Sequence, residues 1–299
     1  MKSKYIAWAI APIFLIGCSD YLETPPSVDY GENEVFATRA DAEKLLTTLY
    51  AEGMPYGFCM SSSNTDRRLL SSSTLASACD EGEDVATWAM GNAAWNAGNH
   101  TNTNFPWDED CRFYLRNHTM RVANLILKRI HEVPFDEGDP DFNKRTTGEA
   151  YFMRAMLLWE GVYRYGGMPI VRDVIDPTDF SQRPRNSFSD CIDSILIDCD
   201  RATQYLPDYY TDNAKLGRAT RIAALALKAR VLLYAASPLF NTSTPYMSFP
   251  GHEDLIGYGN YDRERWKKAA DAAKAAIDAA LASGHYKIHN TGKIGRAHV

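Results

Sequence analysis

The chain has no apolar run long enough to span a bilayer. Tyr5–Ile16 is a 12-residue stretch, against the roughly 20 residues that a spanning helix needs. It also has no block of lysines and arginines, and its formal net charge is −6. That balance argues against nucleic acid and against electrostatic docking onto anionic lipid. No GxSxG, Walker or Rossmann glycine pattern occurs, so the common nucleophile-elbow and nucleotide chemistries have no foothold. There is no CxxC pair and no Cys/His spacing suited to zinc, and no cofactor is expected. Hydrophobic residues make up 45% and charged residues 23% of the 299 positions, which is ordinary for a globular protein with a sizeable core. Aromatics are plentiful, with 17 Tyr, 12 Phe and 6 Trp.

The short apolar run has its own meaning. Lys2 and Lys4 precede it, and it ends in Leu15-Ile16-Gly17-Cys18. A basic start, a short apolar centre and small residues before a cleavage point make a secretory signal. Leu-x-Gly-Cys resembles a bacterial lipobox, in which the cysteine becomes a lipidated N-terminus. Two or more acyl chains on Cys18 would give stable anchoring where one alone is marginal. Residues 1–17 are therefore read as signal peptide and 18–34 as an extended, lipidated tether, polar and carrying Pro25-Pro26. Loss of Lys2 and Lys4 takes the charge from −6 to −8. Of the other cysteines, Cys191 and Cys199 sit eight residues apart on one expected helix, about 12 Å along its axis and too far to bridge.

The body, residues 35–292, reads as mainly α. Thr38-x-x-Asp41 opens a helix to about Glu52 with Leu45, Leu46, Leu49 and Tyr50 on one face. Gly53–Cys111 then shows little periodicity and much Ser, Asn, Gly and Trp. An irregular insertion of that length is either functional or a packed sub-structure. Further helices are predicted over about Phe113–His131, Thr147–Tyr165, from Ser187 to Pro207, Ala219–Ala236 and Asp262–Ser283. Gly166-Gly167 and Pro169 stop the second of these, and short strands are expected near Pro169–Val174. The last helix places Trp266, Ala270, Ala273, Ile277 and Leu281 on its inner stripe. Paired helices with alanine at crossing positions point to stacked, tetratricopeptide-like helical hairpins.

Several motifs, in order, carry a resemblance. Thr147-Gly148-Glu149-Ala150-x-Phe152-x-Arg154-Ala155 and the turn Arg164-Tyr165-Gly166-Gly167-Met168-Pro169 come first. Leu206-Pro207, Gly217-Arg218-Ala219-Thr220, Ala226–Ala235 and Ser237-Pro238-Leu239-Phe240-Asn241 follow. Together they resemble SusD/RagB-like outer-membrane nutrient-binding lipoproteins. The resemblance implies a surface-exposed lipoprotein that binds oligosaccharide or another complex nutrient, passes it to a SusC-like TonB-dependent transporter, and catalyses nothing. Members of that family usually run longer. Residues 293–299 continue no pattern and are expected to be a non-native tail, with a C-terminal half lying beyond.

Ligand contacts are expected in the insertion, where Trp88, Trp95 and Trp107 are interleaved with Asn96, Asn99 and further asparagines. Sugars present apolar C–H faces that stack on rings, and hydroxyls that match amides and carboxylates. Trp95, flanked by Asn and Gly, is the first choice. Glu149 and Arg154 are read as structural pairs. Asp136, Glu137, Asp139 and Asp141 are read as an acidic turn lacking EF-hand spacing, and His285 and His289 as no metal site. A tetratricopeptide-type adaptor, or a lipid-anchored glycoside hydrolase with paired carboxylates, are the alternatives.

Overall fold

The computed structural model describes residues 31–54, 101, 113–176 and 178–287, the first turn of the 113 helix as backbone only. Seven α-helices and no strand lie among them: α1 Glu32–Val35, α2 Arg39–Gly53, α3 Phe113–Arg129, α4 Phe142–Tyr165, α5 Phe188–Tyr205, α6 Arg221–Ala236 and α7 Arg263–Ala282. From α2 onward each helix packs on the next, giving the stacked hairpins of a tetratricopeptide-like scaffold. None of the described helices is long and apolar enough to cross a membrane.

Side-chain caps fix most helix starts. The Thr38 hydroxyl accepts the Asp41 N–H at 3.2 Å and the Ser187 hydroxyl accepts that of Asp190 at 3.0 Å. Thr220 caps α6 through Ala223 N–H at 3.1 Å, and Asp262 caps α7 through Glu264 N–H at 2.9 Å. Each satisfies a donor that the first helical turn leaves unpaired.

The core is organised around α4, 24 residues and about 36 Å long. Seventeen of those residues are buried, so α4 is the spine against which the other helices pack. On one side Phe152, Met153 and Leu157 join Leu46, Leu49, Val122 and Ile126. On the other, Ala155, Trp159 and Val162 join Phe188, Ile192, Ile195 and Val231. Phe188 and Phe240 stack with centroids 4.5 Å apart, locking α5 to the segment after α6.

Four expectations are corrected. First, α4 begins at Phe142 rather than Thr147. No side chain caps it; its first turn is fixed by buried Phe142 and by Arg145, whose fork clasps Asp139. Second, Pro169–Val174 forms no strand. Its carbonyls at Val171 and Asp173 accept from the Asn124 side-chain amide at 3.1 Å each, and the Ile170 N–H donates to the Asn186 side chain, so no neighbouring strand is required. Third, the stretch expected to be extended up to Glu34 is already helical from Glu32, whose carboxylate meets Arg121 at 2.9 Å. Fourth, the apolar stripe of α7 faces outward, with Trp266 38% and Ile277 and Leu281 each 56% exposed. That helix instead turns Ala269, Ala272 and Ala276 inward.

The end of α4 is a crossing of three backbones. Gly166 has φ +75° and donates to the Val162 carbonyl at 2.8 Å. Gly167 donates to the Leu255 carbonyl at 2.7 Å, and the Met168 carbonyl accepts from Asn186 at 3.0 Å. Arg185 caps the same corner from its side chain, donating to the Gly167 carbonyl at 2.6 Å and also to that of Tyr165.

Candidate functional site

The sequence-predicted ligand residues Trp88, Trp95, Asn96, Asn99 and Trp107 lie outside the described residues, as does Cys18. What the structure does define is the platform from which the insertion springs. The last turn of α2 and the second turn of α3 are joined by Glu52 and His118, whose Oε2 and Nδ1 are 2.8 Å apart. Gly53 is buried against Met153 and Thr119, where a β-carbon would press on the Met153 terminal methyl at 2.8 Å. Chain leaving α2 and chain entering α3 therefore depart from one anchored corner of the α2–α3–α4 layer.

Two charge networks hold that layer. In the first, Arg154 on α4 reaches Asp198 on α5 with a two-pronged contact of 2.8 and 2.7 Å and donates to Asn124 on α3 at 2.9 Å. Arg172 adds a 3.2 Å bond to the same aspartate and a 2.7 Å bond to the Ser194 hydroxyl. In the second, Glu149 faces Arg218 at 3.4 Å. It also lies 3.3 Å from Arg145 Nε, an ion pair without hydrogen-bond alignment. Burial raises its carboxyl above the usual range, against the pull of Arg218, the Tyr50 hydroxyl and Arg145. Tyr50 in turn accepts the Ala219 N–H at 2.9 Å, tying α2 to the start of α6.

These are scaffold contacts. Glu149 and Glu160 are each 0% exposed, and their carboxylates are turned onto Arg218 and Arg164 inside the scaffold. The acidic turn is likewise bound into the protein. Asp139 accepts from both terminal nitrogens of Arg145 at 2.9 and 2.8 Å and from Lys215 at 3.0 Å. The Arg145 bonds, with help from Lys215 and against burial, hold its carboxyl down at about 2. Of the two histidines, His285 lies flat on the Tyr209 ring, 4.1 Å between centroids; His289 lies outside the described residues. Cys191 and Cys199 are both free thiols and both buried.

A cavity of about 280 Å³ opens where the start of α4 meets the end of α5 and the turn that follows. Asp139 and Arg145 form part of it, with Tyr205, Tyr209, Tyr210, Asp141, Lys144, Asp212 and Lys215 around them. Sequence reasoning missed this place. The usable signal was the run Tyr205-Leu-Pro-Asp-Tyr-Tyr-Thr-Asp212, which interleaves rings with acids much as the insertion interleaves rings with amides. A second hollow of about 350 Å³ lies between Leu196, Leu225 and Leu232, mostly aliphatic and with few groups to meet a hydroxyl.

Comparison with known proteins agrees with this architecture. A SusD-like family model, described as starch-binding and associating with the outer membrane, matches residues 20–233. No curated protein matches the chain. Among solved structures, a SusD-like carbohydrate-binding protein from Bacteroides fragilis NCTC 9343 is 18% identical with a TM-score of 0.58, over 82% of this chain and 41% of that one. A SusD superfamily protein from Bacteroides vulgatus ATCC 8482 is 19% identical, TM-score 0.57, over 85% and 50%. A laminarin-binding SusD-like protein is 22% identical, TM-score 0.54, over 67% and 41%. At such identities the likeness concerns the fold, and the chain spans half or less of each of these relatives. With the family model covering most of its length and its helical hairpins stacked as theirs are, the chain belongs to the SusD-like family.

Proposed function

We propose that this chain is a lipid-anchored binding protein of the outer membrane, facing the exterior, that captures a glycan and hands it to a SusC-like TonB-dependent transporter without transforming it. The observation that carries this reading is the family match over residues 20–233. The Trp- and Asn-rich segment rooted on the α2–α3 corner supports it, since rings and amides in alternation are what a sugar surface requires. Cys18 is the lipid attachment point, and Trp95, Trp88, Trp107, Asn96 and Asn99 are the ligand contacts.

Affinity electrophoresis against a glycan panel that includes starch and laminarin tests the binding. The full chain should be retarded by at least one glycan. Trp95→Ala should weaken that retention by about thirtyfold, as loss of an aromatic hot spot worth about 2 kcal/mol does. Release of reducing sugar would identify a hydrolase, and equal retention of both chains would remove Trp95 from the site. Labelled palmitate should enter the chain in its host, and Cys18→Ser should abolish that labelling; incorporation into both forms would refute the anchor. Deleting the gene should slow uptake of the retained glycan, and unchanged uptake would count against the hand-over.

A further inference from the structure

The cavity beside the first turn of α4 has no part in the reading above, and its chemistry is selective. Its floor is closed on itself. Arg145 and Lys215 are both occupied by Asp139, and the Tyr210 hydroxyl donates to the Ala219 carbonyl at 3.0 Å. Tyr205 and Tyr209, 36% and 38% exposed, line it as well. Both rings are braced from outside the cavity. His285 lies parallel to Tyr209, within 9°, and Tyr151 backs Tyr205 at 6.0 Å. The Tyr286 hydroxyl donates to the Asp208 carbonyl at 3.3 Å and pins the segment carrying His285 to the same loop. The rim carries Asp141, Lys144 and Asp212, all three exposed.

Acids and bases around the cavity balance, three against three. An ion of either sign would meet like charge at the rim, and a purely apolar ligand would strip water from carboxylates and ammonium groups without replacing it. A polyol with apolar C–H faces meets neither objection. Its hydroxyls donate to the rim carboxylates and accept from Lys144, while a ring face packs on tyrosine. The volume lies at the small end for ligand pockets, which fits one sugar unit rather than a coiled chain.

We propose that this cavity is a second carbohydrate subsite, built on the helical scaffold and separate from the insertion, which takes a neutral sugar unit between Tyr205 and Tyr209 with Asp141 and Asp212 as hydroxyl acceptors. It rests on the reading of the chain as a glycan binder.

The test is nuclear magnetic resonance on the full chain carrying isotope-labelled tyrosine and tryptophan, with maltotriose and laminaritriose as probes. Tyr205 and Tyr209 signals should move with one of the trisaccharides, in the parent and in Trp95→Ala alike. Tyr209→Ala should weaken the response at Tyr205 by about tenfold, the scale of one lost ring contact, while Tyr209→Phe, which keeps the ring, should restore it. Asp212→Asn, which still caps Ala214, should also weaken it. Movement of Trp95 signals with Tyr205 and Tyr209 unmoved would overturn the subsite and leave the glycan reading standing. Silence at the tryptophans and tyrosines with both probes would overturn the two together.

Discussion

Replacing Arg154 with methionine is expected to cost about 3–5 kcal/mol, the range for removing one partner of a buried ion pair. Arg154 spans three helices, and three of its nitrogens are committed within 2.9 Å, two to Asp198 and one to Asn124. Asp198 is 2% exposed. Without Arg154 it would keep only the single 3.2 Å contact from Arg172, a side chain still one-third open to water. The methionine fills the volume but leaves a carboxylate under-compensated, and Asn124 loses its donor. Lysine in place of arginine should recover only part of the loss, because an ammonium cannot reproduce the planar fork. Pairing Arg154→Met with Asp198→Leu should be less damaging than the single change, since both charges leave together. Urea denaturation reads these differences from the shift in midpoint at constant slope. A single-mutant loss below about 1 kcal/mol would mean that water or Arg172 already satisfies Asp198, in conflict with this account.

The second large effect is expected at Gly166. Its φ of +75° and ψ of −143° lie in a region that side chains other than hydrogen avoid. A β-carbon placed there would sit 2.1 Å from the Leu255 carbonyl oxygen. That neighbour is backbone, and the 3-10 turn Glu253–Leu255 is held by the hydrogen bond that Gly167 donates to the same oxygen. Gly166→Ala should therefore cost about 3–5 kcal/mol, strain and overpacking together. Gly217→Ala is the control. It has a similar φ of +88° but open space around it, so it should lose only about 1 kcal/mol, the conformational part alone. Equal losses at the two positions would show that φ, and not the crossing, decides. The cost at Gly166 on a stability of about 5–15 kcal/mol makes this corner one of the least substitutable in the chain.

What the sequence discloses of this fold follows a physical divide. Thr38, Ser187 and Asp262 announce their helices because a capping hydroxyl or carboxylate acts within three residues. The start of α4 is silent because no side chain caps it: Phe142 is held by core residues that only the folded chain brings near, and Arg145 clasps Asp139 outside any capping spacing. Periodicity correctly groups Trp266, Ile277 and Leu281 on one face of α7, yet it does not say which face meets α6. There the alanine side lies inward, since small residues let two helix axes approach closely. Pro169–Val174 reads as a strand in sequence, yet the side chain of Asn124, 45 residues and more away, is what satisfies its carbonyls. The structural roles of Glu149 and Arg154 were legible from their place in a helix motif. The tyrosine cavity was not, because its acids and rings converge from segments some 60 residues apart.

The alanine seam of α7 has a consequence for how the molecule breathes. Only Ala269 in that helix is fully shielded, whereas α4 is sealed along most of its length. Detaching the last helix uncovers mainly methyl groups, and so requires far less free energy than separating α4 from its neighbours. Excursions in which α7 lifts away while the layers around α4 stay intact are therefore easier than any that part α4 from its neighbours, and distinct from global melting.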